Sequence, residues 1–267
     1  MTITSVSGNR IKRLKKLIDK PRLRREEGCF VAEGVRIVSE TPPERIRELY
    51  VTEALMKEAE DTDNPCYRLL SSVSEDRIFT VTEEVYRKLS DTITPQGILA
   101  VVSMEMAEPA DIYGSGTPLV LVLCDIQDPG NLGTMIRTSE GAGLSGVIMS
   151  RGCADIYSPK VVRATMGSLY RVRYAVAEDI KKTLTEMKDS GIELLGAELS
   201  GSVSYDDVDY NVPCAVLIGN EGTGLDPDIL GLCDQRIRIP MEGKLDSLNA
   251  GISAAVITYE AARQRRH

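Results

Sequence analysis

The sequence is almost devoid of histidine, since its one copy, His267, is the last residue. A histidine general base and a histidine-ligated zinc ion are therefore excluded in practice, because both need an imidazole held inside a site. Six cysteines are present and none forms a C-x-x-C pair: Cys29, Cys66, Cys124, Cys153, Cys214 and Cys233. We expect reduced structural thiols and no metal site, so any chemistry must use other side chains.

Long apolar runs are also missing. No stretch reaches the ~18 apolar residues of a membrane-spanning helix, and the N-terminal MTITSVSGNRIKRLKK has basic residues without an apolar segment after them. We therefore expect no membrane span and no secretory signal, and a cytoplasmic protein. Tryptophan is absent, but 42% of the 267 residues are hydrophobic, which suffices for a sizeable core in one or two domains.

Positive charge is scarce overall, and the formal net charge is −8. Residues 1–25 are the exception, with nine Lys and Arg against one acid, Asp19. A basic arm on an acidic body is typical of an element that contacts nucleic-acid phosphates, although a solvated helix surface has the same composition. The candidate RNA-binding residues are Lys12, Arg13, Lys16, Arg24 and Arg25.

The composition divides the chain near residues 105–118, EMAEPADIYGSGTP, where Pro, Gly and acids replace any periodic pattern. We expect a first domain at 1–107, a linker at 108–117 and a second domain at 118–267. In the first domain, IKRLKKLIDK has helical spacing, while CFVAEG and GILAVVSME are strand-like, so we predict a small α/β domain. A fragment that begins near Gly114 is expected to keep the fold of the second domain.

The second domain begins with PLVLVLCDI, a continuous apolar strand typical of a parallel sheet. Strands and helices then alternate to the end of the chain, which predicts a doubly wound α/β sheet. SPKVVRATMGSLY is predicted to be a helix capped by Ser158, with Pro159 in its first turn. The longest predicted helix is DSLNAGISAAVITYEAARQRR, capped by Asp246 or Ser247.

Three stretches place polar residues directly after strands, where open α/β sheets bind ligands. They are DIQDPGNLGTMIR, LIGNEGTGL and IPMEGKLDSLNAG. Each alone has an ordinary explanation: a helix cap followed by a surface arginine, a turn after a strand, and a loop before a helix. The glycines of the second stretch would also let the backbone approach a ligand closely.

Taken in order, these stretches resemble the SpoU/TrmH branch of the SPOUT methyltransferases, over about residues 116–265. The resemblance rests on N-x-G-x-x-x-R (Asn131, Gly133, Arg137), on LIGNEGTGL and on IPMEGKLDSLNAGISAAV. FVAEGVRIVSE and TPQGILAVV are similar to the L30e-like RNA-binding domain of one subgroup. The resemblance implies an α/β fold in which a small N-terminal L30e-like domain precedes a SPOUT domain with a parallel sheet and a deep trefoil knot.

The same resemblance implies the reaction: S-adenosylmethionine-dependent methylation of a ribose 2′-hydroxyl in RNA, with no metal. The added L30e-like domain favours 23S ribosomal RNA as substrate. Transfer RNA is the alternative substrate, and a non-catalytic RNA-binding protein on the same fold is the alternative function. A Rossmann-type nucleotide enzyme is disfavoured, because no G-x-G-x-x-G follows the first strand of the second domain.

By the family motifs, Gly219, Ile239 and Leu248 match cofactor-contacting positions. Ala197 is expected to form another wall, with Asn220 and Asn249 nearby. The catalytic candidates are Arg137, Asn131 and Glu221. Asn131 is expected to orient Arg137 or the ribose, and Glu221 to organise the loop or the arginine instead of acting as the base.

The resemblance gives the proton-handling role to Arg137, which is chemically awkward because a guanidinium is nearly always protonated. Either a phosphate-assisted arrangement deprotonates it, or it stays cationic and stabilises an alkoxide while another group takes the proton. The resemblance also implies a homodimer through the C-terminal domain, with an active site drawn from both subunits. An apolar stripe on the last helix suits a dimer and equally suits an intramolecular core: Leu248, Ile252, Val256 and Tyr259.

Overall fold

The computed structural model describes residues 2–59, 61, 63–200, 203–245 and 247–266. The chain forms two compact units, each built from strands and helices. One comprises Met1–Glu105 with Asp155–Tyr170, and the other comprises Met106–Ala154 with Arg171–His267. The predicted α/β fold class is confirmed.

The first unit begins with eleven helices and strands: β1 Thr2–Ile3, α1 Asn9–Asp19, α2 Pro21–Glu27, β2 Cys29–Glu33, α3 Val35–Ser39, β3 Ile46–Thr52, α4 Glu53–Glu58, α5 Pro65–Ser72, β4 Ile78–Val81, α6 Glu83–Leu89 and β5 Ile98–Ser103. Its sheet has the order β1-β4-β3-β5-β2, with β5 antiparallel to both neighbours. The helical spacing predicted for α1 is confirmed, because its four spaced apolar residues are buried in the core of this unit: Ile11, Leu14, Leu17 and Ile18.

The rest of the chain adds these elements: α7 Pro109–Tyr113, β6 Leu119–Leu123, α8 Pro129–Ala142, β7 Gly146–Met149, α9 Pro159–Thr165, β8 Tyr174–Val176, α10 Ile180–Asp189, β9 Glu193–Ala197, β10 Val203–Ser204, β11 Cys214–Ile218, α11 Pro227–Leu232, β12 Gln235–Arg238 and α12 Ala250–Gln264. All but α9 belong to the second unit. Its sheet has the order β10-β12-β9-β11-β6-β7-β8, and every described pair of neighbouring strands is parallel. The strands β6 and β11 are buried along their whole length, as their unbroken apolar sequences predict.

Helix boundaries differ from the sequence-based expectation at one important place. Helix α12 begins at Ala250, and its cap is Asn249, whose Oδ1 accepts hydrogen bonds from the N–H groups of Gly251 (2.9 Å) and Ile252 (3.3 Å). The cap predicted at Ser247 is therefore wrong, and Asp246 lies outside the described residues. An asparagine caps as well as an aspartate or a serine, so the residue types in this stretch do not single out one cap.

The segment 108–117, predicted as a linker, contains the short helix α7. Its Ile112 and Tyr113 are buried in the core of the second unit. A helix of five residues is too short to produce a readable period, which is why the sequence pattern does not reveal it.

Residues 155–170 follow β7 in the sequence but cluster with the first unit. The predicted cap is confirmed, since Ser158 caps α9 and Pro159 is its first residue. The segment buries five apolar side chains: Ile156, Tyr157, Val161, Val162 and Leu169. The ring of Tyr157 lies 4.8 Å from that of Phe30 in β2. A fragment that begins near Gly114 would expose these side chains to water, so the structure argues against the expectation that it folds intact.

Arg24 anchors this segment. Its side chain is 2% exposed, and Nη1 donates to the carbonyl oxygens of Leu17 and Ile18, each at 2.7 Å. Nε and Nη2 donate to the Asp155 carboxylate at 3.1 and 2.6 Å. The guanidinium thus ties the end of α1 to the start of the segment. The prediction that Arg24 binds RNA is therefore wrong, because its guanidinium is buried and already donates to two backbone carbonyls and to the Asp155 carboxylate.

We predict that Arg24→Ala lowers the free energy of unfolding by about 3 kcal/mol, because it leaves the Asp155 carboxylate and two helix carbonyls without their hydrogen-bond donor. Arg25→Ala is the matched control: Arg25 is exposed, and an exposed side chain with no described partner should change stability by no more than about 0.5 kcal/mol. Urea unfolding of the two variants checks the prediction. Equal stabilities would show that Arg24 does not anchor the segment.

Candidate active site

The three polar stretches follow strands of the parallel sheet and leave it at the same edge. Residues 124–128 follow β6, residues 219–226 follow β11, and residues 239–249 follow β12. Strand β6 neighbours β11, while β9 lies between β11 and β12. Because the carboxyl ends of parallel strands share one edge, the sheet brings the three stretches together.

Glu221 ties the loop after β11 to the loop after β6. Its carboxylate accepts hydrogen bonds from the backbone N–H of Gln127 (3.2 Å) and of Asp128 (3.0 Å), and from Nδ2 of Asn131 (3.0 Å). Partial burial opposes ionisation, but the hydrogen bonds from Asn131 and from backbone N–H groups outweigh it and lower the pKa of Glu221. Glu221 is thus an ionised organiser of the loop.

Asn131 carries the connection on to α12. Its Oδ1 accepts a hydrogen bond from Nδ2 of Asn249 at 3.0 Å, while its own Nδ2 donates to Glu221. Asn249 in turn caps α12. One chain of side-chain hydrogen bonds, Glu221–Asn131–Asn249, therefore joins all three stretches. We call it the loop network.

Asn220 makes hydrogen bonds within the loop after β11 and also to the loop after β6. Its Oδ1 accepts from the backbone N–H of Gly222 (2.9 Å) and Thr223 (3.2 Å), and its Nδ2 donates to the carbonyl oxygen of Asp125 (2.8 Å). Asn220 and Glu221, the two polar side chains that follow the first glycine of GNEGTG, thus both hold the loop after β6.

Gly219 has no room for a side chain, for a reason internal to the loop. A Cβ built there would lie 2.2 Å from the carbonyl carbon of Gly224 and 2.3 Å from the nitrogen of Leu225. The sequence-based reason, close approach of the backbone to a ligand, is therefore not needed to explain this glycine. A β-branched residue at 219 would open the loop itself.

Asp125, at the end of β6, is a site residue that the sequence pattern does not single out. It adopts a left-handed conformation with φ +59°, which is uncommon outside glycine although Asp tolerates it better than most residues. Its Oδ1 accepts from Oγ of Ser150 (2.6 Å), and that Oγ accepts from the backbone N–H of Asp125 (2.9 Å). Together with the bond from Asn220, these contacts hold the turn that leads into the loop network.

A cavity of about 790 Å³ lies between the loops after β9, β11 and β12. Five of the six predicted cofactor-contacting residues line it: Ala197, Gly219, Asn220, Ile239 and Leu248. The sixth, Asn249, is not among its lining residues and acts instead in the loop network. Ile218, Leu225, Ile237 and Ile257 form apolar walls. The volume and the mixed lining fit a nucleoside-sized cofactor.

Arg137 stands apart from both the cavity and the loop network. It is exposed on α8, and its guanidinium makes no hydrogen bond or ion pair with any described residue. Six residues separate it from Asn131, which places it about 240° around the helix. Since both polar groups of the Asn131 amide are engaged elsewhere, Asn131 does not orient Arg137 within the chain.

Helix α12 uses two faces. One face is buried: Gly251, Ala254, Ile257, Thr258, Ala261 and Ala262. On the predicted apolar stripe, Ile252 and Tyr259 are 50% and 47% exposed. The oxygen of Tyr259 lies 2.6 Å from where a Cβ on Gly141 of α8 would be, so the two helices pack closely there. Val256 is half-buried, and Leu248 precedes the helix and lines the cavity, so the exposed part of the predicted stripe is Ile252 and Tyr259.

Among the candidate RNA-binding residues, Lys12, Lys16 and Arg25 are exposed. Arg13 is paired with Glu27 (2.5 Å) and Glu48 (2.9 Å), and these hydrogen bonds and charges raise its pKa in spite of the opposing effect of burial. Three of the five candidates are therefore free to meet a phosphate.

Neither a metal cluster nor a membrane-spanning helix is present in the described part of the chain. In these ranges, no group of three or more His, Cys, Asp and Glu side chains is placed to hold a metal ion. None of the helices there combines the length and the apolar character needed to cross a bilayer.

Known families and structures match both units. Residues 118–259 match the SpoU rRNA Methylase family, and residues 8–100 match the MRM3-like substrate binding domain. The 23S rRNA (guanosine(2553)-2′-O)-methyltransferase RlmP of Bacillus subtilis is 32% identical over 260 residues, which is 96% of this chain and 97% of RlmP.

Two solved structures extend the likeness. The AdoMet-bound rRNA methyltransferase from Sinorhizobium meliloti has a TM-score of 0.86 and 28% identity, over 98% of this chain and 97% of that one. The SpoU methyltransferase AviRb from Streptomyces viridochromogenes, solved with AdoMet, has a TM-score of 0.83 and 28% identity, over 97% and 98% of the two chains. The family match covers the parallel sheet, the loop network and the cavity, and the chain therefore belongs to the SpoU rRNA methylase family.

Proposed function

We propose that this protein methylates a ribose 2′-hydroxyl of 23S ribosomal RNA and uses S-adenosylmethionine as methyl donor. The observation that carries the proposal is the loop network, which joins the three family motifs beside a cavity of nucleoside size. RlmP, whose name specifies 2′-O-methylation of 23S rRNA, is similar along nearly its whole length. Transfer RNA is the second candidate substrate, and the cytoplasm is the proposed location.

The cavity suits the cofactor. Its apolar walls and backbone-rich loops can enclose an adenosine, and the loop after β11 is held closed by the chain's own hydrogen bonds before any ligand enters. When bound, S-adenosylmethionine supplies an electrophilic methyl group on a sulfonium. The protein's own work is then to align the ribose oxygen and to manage one proton. The trefoil knot around this site stays a prediction.

Glu221 is unsuited to take that proton. A general base works best with a pKa near the operating pH, whereas the pKa of Glu221 is lowered and both of its oxygens already accept hydrogen bonds. Asn131 is likewise occupied. The family resemblance gives the reacting oxygen to Arg137, which as a cation would stabilise the developing alkoxide, while deprotonation of Arg137 assisted by a phosphate is the alternative.

A second copy of the chain supplies Arg137 to the cavity. Three observations support this arrangement: Arg137 is exposed, it does not line its own chain's cavity, and the neighbouring helix α12 exposes Ile252 and Tyr259. A twofold contact through this face would cover the apolar stripe and complete two sites at once.

Mapping ribose methylation in RNA from cells with and without the gene tests the substrate. We expect one 2′-O-methyl group in 23S rRNA to disappear when the gene is absent and to return when the wild-type gene is restored. A modification that disappears from tRNA alone would make tRNA the substrate instead.

We predict that Arg137→Ala abolishes methyl transfer to RNA and leaves affinity for S-adenosylmethionine within severalfold, because the proposed contact of Arg137 is with the ribose oxygen of the RNA and not with the cofactor. Transfer of labelled methyl and calorimetry measure the two effects. Gly219→Val opens the loop after β11 and is expected to lose cofactor binding, so it is the complementary variant. Mixing the Arg137→Ala and Gly219→Val proteins should restore about a quarter of the wild-type rate, because about half of the dimers would be mixed and each mixed dimer has one complete site out of two. No recovery on mixing would place Arg137 in the site of its own chain.

We predict that Glu221→Gln weakens binding of S-adenosylmethionine about tenfold, because the variant lacks the charged hydrogen bonds across the loops. Because the folded pKa of Glu221 is lowered, its contribution to stability is complete above its ordinary pKa of 4.5 and is lost only as the pH falls through the lower value. Chemical unfolding at several pH values should therefore show a constant difference between wild type and variant from pH ~6 to ~8. Glu58→Gln, an exposed acid at the end of α4, is the control. If the stability difference between wild type and variant changed between pH ~6 and ~8, the pKa of Glu221 would lie in that range, as expected for a general base.

We predict that replacing Lys12, Lys16 and Arg25 with alanine weakens RNA binding and flattens its salt dependence. The expected change in slope is about 0.7 log units per log salt for each cation that neutralises a phosphate of single-stranded RNA. A charge-matched control replaces Lys57, Arg68 and Lys88, which are exposed elsewhere in the first unit. Salt titrations of RNA binding on both variants measure the slopes. Equal slopes in the two would mean that the arm is only a solvated surface.

A further inference from the structure

One carboxylate on the cavity wall takes no part in the loop network. Glu198 directly follows β9 and lines the cavity. Its backbone N–H donates to the carbonyl oxygen of Ile237 in β12 at 2.9 Å, which fixes the position of the residue at the sheet edge. Its side chain is 24% exposed, so the carboxylate is largely withdrawn from bulk water.

Among the residues that the structure describes, Glu198 has a counter-ion and its Oε2 has no hydrogen-bond donor. Arg236 Nη1 lies 3.7 Å from its Oε2, close enough to offset the charge and too far for a hydrogen bond. Oε2 is buried without a hydrogen-bond partner among the described residues. A buried acceptor without a donor costs free energy, and a ligand whose hydroxyl groups donate to it would remove that cost.

The place of Glu198 in the sheet separates it from the loop after β6. Asn131 follows β6, which lies two strands from β9, or about 10 Å, whereas Glu221 follows β11, the strand next to β9. A cofactor whose methyl group lay near Asn131 would therefore turn a more remote part towards Glu198. The nearby Arg236 cation would also repel an ammonium group, so the best partner for the Glu198 carboxylate is an uncharged hydrogen-bond donor.

We propose that Glu198 binds the ribose hydroxyls of S-adenosylmethionine and selects for an intact ribose, an inference that rests on the proposed function. A carboxylate is an acceptor with two oxygens, and a vicinal diol offers two donors at matching spacing. Arg236 holds the carboxylate by charge, and a side-chain rotation turns its oxygens to the diol. Glu198 is thus a specificity residue for the cofactor.

Calorimetry on the full chain tests the proposal with S-adenosylhomocysteine, its 2′-deoxy and 3′-deoxy forms, and an analogue without the adenine amino group. We expect wild type to bind at least one deoxy form about 10- to 100-fold more weakly than the parent compound. Glu198→Ala should weaken binding of the parent compound by a similar factor and abolish the discrimination, and Glu198→Gln should fall between. Asp189→Asn, an exposed acid at the end of α10, should match wild type. Melting curves without ligand check that each variant is folded.

Three outcomes overturn the proposal. One is a Glu198→Ala protein that binds the parent compound as wild type does. A second is a variant that still discriminates against the deoxy forms as wild type does. The third is a variant that no longer recognises the adenine amino group, which would make Glu198 a reader of the base. Failure of wild type to bind the parent compound is distinguishable from all three, because it removes the proposed cofactor site itself.

Discussion

The site depends on one ionised carboxylate that bridges two loops. Glu221 accepts hydrogen bonds from two backbone N–H groups of the loop after β6 and from the Asn131 amide at the start of α8. Among the described residues, the other side-chain hydrogen bond between this loop and the loop after β11 comes from Asn220. Charge-assisted hydrogen bonds are the strong members of their class, and these three converge on one side chain. Glu221 therefore couples the cavity wall after β11 to the start of α8.

This arrangement separates the work of the motif residues. Glu221, Asn131 and Asn249 hold the loops beside the cavity, so these three motif residues are structural partners of one another. In the proposed function the chemistry falls on a residue outside the network, Arg137, and a second copy of the chain would account for its exposure on α8. Its guanidinium, which has no hydrogen bond or ion pair with a described residue, would be available to stabilise a developing charge.

The first unit follows a similar logic. Of its basic residues, Arg24 is occupied in holding residues 155–170, and Arg13 is paired with two acids, while Lys12, Lys16 and Arg25 remain exposed. Net charge along a stretch therefore overstates the charge available to a ligand. The basic arm is partly an anchor for a segment that is distant in sequence.

Much of the molecule could be predicted from the sequence. Short-range patterns determine the buried face of α1, the apolar strands β6 and β11 and the cap at Ser158, because each depends on neighbours within a few residues. The family motifs likewise predict that Gly219, Ile239 and Leu248 lie together, and all three line the cavity. Only the tertiary structure decided which group each of these side chains meets. Arg24 pairs with Asp155, 131 residues away, and Asn131 pairs with Glu221, 90 residues away. Gly219 packs against the backbone of Gly224 and Leu225. A side chain's periodicity says which face it occupies, but the group that it meets there is set by how distant strands are ordered in the sheet.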